Sequence, residues 1–427
     1  MASPIFIPAE DNLKSDCKKN NGQVTFGLFA LTSLFFMWGF LTSLNDILIP
    51  HFKEVFSLNY TEAMLVQLCF FGAYFIISLP AGQLVEKIGY QKGIVTGLVI
   101  AAAGCGMFLP ASIMVSYSVF LLALFVLASG ITILQVSANP YVTALGSSET
   151  AAGRLTMTQA FNSLGTTIAP FFGAFLILGV SIEGLELLAE AQRQAQKLEV
   201  VQLPYIILTS CLLILALIFS KLNLPAIDNH QNNSRIAGSE QVSIWSHQNL
   251  LLGTLGIFLY VGAEVSIGSF LINFLSEPHI ANTTESEGAK LIAYYWGGAM
   301  IGRFIGAIVM QFIKPGLCLA FNASISIILI LLAITLSGAM AMYAILAVGL
   351  FNSIMFPTIF SLALKGLQQY TSQGSGLLCL AIVGGAIVPL LQGLMADALT
   401  IQQSFVLPML CYVYIAYFGV KNLTVKN

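Results

Sequence analysis

The chain has 427 residues, 57% of them hydrophobic and only 8% charged, with a formal net charge of −2. Soluble domains carry about 25% charged residues, so this chain cannot cover a water-facing surface of its own length. The near-zero charge excludes a basic nucleic-acid binder. Seven cysteines with no CxxC or Cys/His spacing give no sign of a zinc site or a disulfide ladder.

The composition predicts an all-α membrane protein with many spans. Residues 1–24 are a polar tail carrying Lys14, Lys18 and Lys19. The first apolar run, at about 25–50, is too long for the core of a signal peptide and reads as a retained spanning helix. It contains Trp38 and ends in Leu44-Asn45-Asp46-Ile47. Asp46 is the lone charge of the run from Leu28. An ionised carboxylate in hydrocarbon costs on the order of several kcal/mol, so one kept there points to binding of a coupling cation or a polar solute.

Further spans are expected at about 61–84, 93–113, 117–140, 155–179 and 203–223. The segment between the second and third contains Gly82, Glu86, Lys87 and Gly89. Gly82 lets two helix ends approach, and an acid at a helix end can pair with a base or a helix dipole. Gln135 and Asn139, four apart, share a face of the fourth span; Gln159 and Asn162, three apart, share a face of the fifth. Side-chain amides donate and accept, which suits a ring of sugar hydroxyls. The alternative is bonding between helices. Residues 181–202 read as an amphipathic outer helix with Leu185, Leu188 and Gln192 near one face.

Residues 224–247 are polar and form a linker between an N-terminal half, 25–223, and a C-terminal half, 248–420, with a tail at 421–427. The second half shows spans at about 248–276, 289–313, 317–336, 340–364, 374–396 and 403–420, twelve in all. Glu264 lies mid-span in the seventh, where it can bind a cation or sugar hydroxyls, or pair with Arg303 of the eighth. Trp38 and Trp296 can stack on a sugar ring or anchor at the lipid interface; Trp296, inside its span, is better placed for stacking. Asn352 of the tenth span is a further hydroxyl partner, and Asp397 near the end of the eleventh reads as structural.

Two global patterns support this layout. An even span count gathers Lys14, Lys18, Lys19, Lys87, Lys92, Arg154, Lys221, Arg235, Lys314, Lys365, Lys421 and Lys426 on one side. The other side keeps Lys53, Arg193, Lys197 and Lys290, so both termini are expected in the cytoplasm. The halves also echo each other: Pro140 and Pro357, Pro170 and Pro389, and Gly82 and Gly306 stand about 217, 219 and 224 residues apart. Such an offset suggests a duplicated six-helix unit.

The segment Gly82-Gln-Leu84-Val-Glu86-Lys87-Ile-Gly89 resembles the loop signature of the major facilitator superfamily, with Glu for the usual Asp and Lys for the usual Arg. SLFFMWGFLTSLNDILIP, ASGITILQVSANPYVTALG, RLTMTQAFNSLGTTIAP and FPTIFSLALKGL resemble the fucose/galactose/glucose symporter family, most closely its bacterial glucose/galactose branch. The resemblance implies the major facilitator fold, about twelve transmembrane helices in two six-helix halves. It also implies import of a hexose across a bacterial inner membrane, driven by a cation gradient, with no cofactor beyond H⁺ or Na⁺ and a monomeric chain. Carried over by position, it makes Asp46 the essential first-helix acid, preceded by Asn45, and Gln159 and Asn162 the sugar-contacting pair. Gln135 stands where the fucose symporters have an acid and Phe356 where they have a tyrosine. Both departures point away from fucose. A passive facilitator is the competing class. Enzyme motifs are lacking, and His51, His230, His247 and His279 fall in loops or at span ends.

Overall fold

The computed structural model describes residues 26–43, 55–56, 60–173, 190–222 and 244–423. Asn45 and Asp46 lie outside the described residues. The described chain forms twelve helical segments. In the first half these are α1 (Phe26–Ser43), α2 (Tyr60–Ile88), α3 (Tyr90–Ile113), α4 (Tyr117–Ala144), α5 (Ala151–Gly173) and α6 (Glu190–Lys221). In the second they are α7 (Gln248–Ser276), α8 (Glu285–Val309), α9 (Pro315–Thr335), α10 (Gly338–Leu364), α11 (Gln368–Ala398) and α12 (Ile401–Lys421).

Eleven of the twelve are long and apolar enough to cross a membrane. The exception, α5, carries Arg154, Thr156, Thr158, Gln159, Asn162, Ser163, Thr166 and Thr167. A helix with so many polar groups must turn them onto other helices or a wet cavity rather than lipid. One expectation needs correcting. From Glu190 onward, the stretch expected as a separate amphipathic helix is continuous with the sixth span and runs through Pro204.

The helix contacts repeat at an interval of six. Within the first half α3 packs on α4 and α6, and α2 on α4; within the second α9 packs on α10 and α12, and α8 on α10. Across the halves α2 meets α11 as α8 meets α5, and α4 meets α11 as α10 meets α5. This is the pairing expected of a duplicated unit related by a two-fold axis.

Lys87, Lys92, Arg154, Lys221, Lys314, Lys365 and Lys421 gather at one end of the bundle, called the basic end below. Two side chains close helix ends there. Gln91 donates to the carbonyls of Phe219 and Leu222 at 2.7 and 2.6 Å, covering α6's terminal acceptors. Arg154 donates to the carbonyls of Val142, Thr143 and Ser147 after α4. Gly89, between α2 and α3, has φ +84°, a conformation that favours glycine.

Candidate functional site

Three prolines build the joints around the interface. A proline inside a helix has no N–H, so the carbonyl four residues earlier loses its helical donor. Pro140 strips Val136, whose carbonyl accepts from Ser375 Oγ of α11 at 3.0 Å, across the halves. Pro170 strips Thr166, whose carbonyl accepts from Ser43 Oγ at the end of α1 at 3.0 Å. Pro357 strips Ser353, whose carbonyl accepts from Arg303 Nε of α8 at 3.1 Å. The repeated prolines therefore supply repeated main-chain acceptors.

The two halves touch toward the basic end. Gly82 and Gly376 face each other: a Cβ on Gly82 would stand 3.0 Å from the Ser372 carbonyl, and one on Gly376 2.7 Å from that of Ser78. One turn on, Gln373 Nε2 donates to Glu86 Oε2 at 2.7 Å. Glu86 thus takes an amide from the opposite half, while Lys87 is exposed. On the other seam, Gly153 of α5 lies under the Ala307 carbonyl, Phe161 meets Phe304 edge-on, and Thr167 Oγ1, which donates to the Ser163 carbonyl, lies 3.7 Å from Met300 Sδ. Gly306, the expected counterpart of Gly82, instead packs on Ile354 within its own half.

The C-terminal half carries the charged part of the site. Glu264 Oε1 accepts from Tyr260 Oη at 2.9 Å and lies 3.7 Å from an Arg303 terminal nitrogen. Both side chains are about 15% exposed. Arg303 also donates to Ser163 Oγ of α5, so its guanidinium joins α7, α8 and α10 to the opposite half. Trp296 lies on the face of α8 that carries Met300, Arg303 and Ala307, and its ring rests over Gly268 of α7. It is 42% exposed on the face turned toward α5.

The N-terminal half offers the neutral part. Gln135 donates to Tyr74 Oη at 2.6 Å, while its own amide oxygen is buried without a partner. Asn139 is fully buried, and neither of its amide atoms finds a partner. Buried polar atoms of this kind are costly, and they suit a site that a hydroxyl-bearing solute or water completes. Gln159 is also buried, one turn before Ser163.

Other candidates take different places. Asn162 donates to the Phe35 carbonyl at 3.0 Å, tying α5 to α1 where Gly39 and Gly165 allow close approach. Trp38 is 6% exposed and packs on Phe35. Phe356 stacks on Phe360, at 5.8 Å between ring centroids. Asn352 keeps an Oδ1 with no partner among the described residues. It is fully buried in the C-terminal half, and its Nδ2 donates to Tyr295 and Tyr412 at 2.7 and 3.4 Å. Asp397 is exposed.

Sequence reasoning missed Tyr260, Ser353, Ser163, Tyr74, Gln373 and Ser375. Tyr260 stands four residues before Glu264 and Ser353 four before Pro357, so both were within reach of spacing. An apolar groove of about 450 Å³ bordered by Ile305, Leu317 and Phe321 lies on the outside of α8, α9 and α10, away from these polar groups. Among the described residues there is no metal-ligating cluster and the six cysteines are free.

Two six-helix halves meeting at a polar seam, with buried amides on one side and a carboxylate on the other, define a membrane transporter rather than an enzyme. The Major Facilitator Superfamily model matches residues 28–389, and the chain belongs to that superfamily. Within it the chain falls among the fucose/galactose/glucose symporters. It is 56% identical to the glucose/galactose transporter of Brucella abortus over 97% of this chain and 98% of that protein. It is 48% identical to the putative glucose/galactose transporter of Helicobacter pylori, over 93% and 97%. To the L-fucose-proton symporter of Escherichia coli it is 37% identical, over 91% of each. The crystal structure of FucP in the outward conformation superposes with TM-score 0.85 at 33% identity, covering 94% of this chain and 99% of that one.

Proposed function

We propose that this protein is a secondary active symporter that imports a hexose of the glucose or galactose type. Import would be coupled to a cation gradient, with H⁺ as the first choice, by alternating access across a bacterial inner membrane. Both termini would face the cytoplasm. The observation that carries the reading is the seam itself: Gln135, Asn139 and Gln159 stand on one half, and Glu264 with Trp296 on the other. Amides bond sugar hydroxyls, an indole face packs on sugar C–H groups, and a carboxylate holds the cation. The names of the relatives at 56% and 48% identity support the substrate class. Asp46 would be the second carboxylate of the coupling site.

Alternating access has a structural basis in the seam. The joints at Gly82–Gly376, Glu86–Gln373 and Gly153–Ala307 all lie toward the basic end, which we take as the shut one, with a cleft of about 710 Å³ left beside them between Ser148 and Lys314. The purified protein in liposomes would accumulate glucose or galactose under an imposed inward proton gradient. Accumulation under a sodium gradient alone would reassign the ion. Equilibration without accumulation would make the protein a passive facilitator. No movement of any hexose would end the sugar-transport reading.

A further inference from the structure

The geometry assigns Arg303 as a positioning residue that transmits the charge state of Glu264 to the α5–α8 closure, an inference that rests on the symporter reading above. Three observations converge on this side chain. Its Nε–H is held by the Ser353 carbonyl that Pro357 leaves without a helical donor. One terminal nitrogen donates to Ser163 Oγ of the other half. The other lies 3.7 Å from Glu264 Oε1, longer than a hydrogen-bonded ion pair.

Those distances set a hierarchy. The main-chain joint fixes the guanidinium on α10, where no side-chain substitution removes the acceptor. The Ser163 joint spans the halves. The contact with Glu264 is electrostatic and loose, and Oε1 is already occupied by Tyr260. The second carboxylate oxygen, Oε2, is the one left for a proton, a cation or a sugar hydroxyl. Among the described residues, the titratable groups around Glu264 are Tyr260 of its own helix, Arg303 and Tyr295 of α8 and Tyr412 of α12. The α10 and α11 residues packed on α7 include Ile359, Ala363, Gly384 and Val388, none of them titratable.

Loading Glu264 then has a direction. With the carboxylate ionised, the Arg303 charge is balanced and the cation can rest against neutral oxygens. With it neutralised, a guanidinium mostly out of water keeps, among the described residues, Ser353 O and Ser163 Oγ as partners. An uncompensated charge at such depth is costly, and its remedy is water. Water reaches it when α5 and α8 part. Occupancy of Glu264 therefore weakens the Ser163 joint and favours opening of the basic end.

The test places fluorophores through unnatural side chains at Ser148 and Gln311, exposed residues on opposite halves at the basic end. Their separation is read by single-molecule energy transfer in liposomes, with sugar counterflow measured on the same preparations. Glu264→Gln should raise the ratio of wide to narrow separations on the order of tenfold. In an Arg303→Gln background, adding Glu264→Gln should change nothing further. Arg303→Lys, which has one ammonium in place of a fork, should not restore the wild-type response to Glu264→Gln. An unchanged separation in Glu264→Gln overturns the proposal, as does a full Glu264→Gln shift in the Arg303→Gln background. Absence of hexose counterflow in the wild type would instead strike at the sugar reading, because the separation is measured without sugar.

Discussion

Gly376→Ala isolates the contact that shuts the basic end. A Cβ there would stand 2.7 Å from the Ser78 carbonyl oxygen and 3.3 Å from Gly82 Cα, whereas ordinary contact begins at 3.4 Å. Both obstacles are main-chain atoms in mid-helix, so no rotamer change relieves them; α2 and α11 must separate by several tenths of an ångström. Overpacking of this kind costs about 1–3 kcal/mol. Alanine also raises helix propensity by about 1 kcal/mol over glycine, but it does so in both arrangements and cancels from their ratio. The shut arrangement should therefore lose roughly 5- to 150-fold in population against the open one. The readout is the distance between labels at Lys92 and Gln368, on the basic ends of α3 and α11. Gly297→Ala is the matched control, since nothing lies within 4 Å of a Cβ there. An unchanged distribution in Gly376→Ala, or an equal shift in Gly297→Ala, refutes the steric account.

Three further outcomes are expected. Gln373→Ala removes the 2.7 Å bond to Glu86; by a double-mutant cycle with Glu86→Gln, the pair should couple by about 1 kcal/mol in the shut-to-open ratio, and zero coupling would make the contact incidental. Pro357→Ala returns an N–H to the Ser353 carbonyl, which then competes with Arg303; the Ser148–Gln311 separation should widen, and an unaltered separation would show that the freed carbonyl is dispensable. The start of α8 is held by a capping box in which Thr284 and Glu287 bond each other's backbone N–H, and those bonds hold the Glu287 carboxyl below its ordinary range. Its stabilisation is complete above the ordinary glutamate pKa and is lost as pH falls through the lowered value. Relative to the intrinsic rate, the Thr284 amide, which donates to that carboxylate, should lose protection over that acid window, and the Glu287 amide should lose about fivefold in Thr284→Ala at neutral pH. A flat profile would remove the box from the account.

Hydrophobic run length made most of the fold legible, because a bilayer demands about 20 apolar residues per crossing. For α5 it found a helix, Ala151–Gly173, that is not among the eleven apolar enough to cross; its polar side chains turn onto other helices. Repeated prolines signalled the duplication, yet their use as carbonyl liberators needed the partners' positions: Ser375 lies 239 residues from Val136 and no local pattern links them. Glu264 and Arg303 were legible as opposite charges in greasy helices, since such charges seek each other. Ser163 was not, because a serine in a helix carries the same signal whether it bonds its own backbone or a guanidinium across an interface. The tyrosines that take Asn352 Nδ2 were hidden likewise: a buried amide reads alike whether it faces a cavity or two phenols. Asp46, the most telling residue of the sequence, lies outside the described residues, so its neighbours rest on the sequence alone.

The proline-freed carbonyls have a consequence for inheritance. At positions 136, 166 and 353 the acceptor is backbone oxygen, present whatever side chain the codon specifies. A side-chain change there that the packing accepts leaves the joint's acceptor in place, although Val136 and Ser353 are themselves buried. Vulnerability moves four residues downstream, to Pro140, Pro170 and Pro357, where a single replacement restores an N–H and retires the acceptor. A mutational scan of these helices should therefore find the joints kept by conservative changes at the bonded residues and lost when the proline four residues on is replaced.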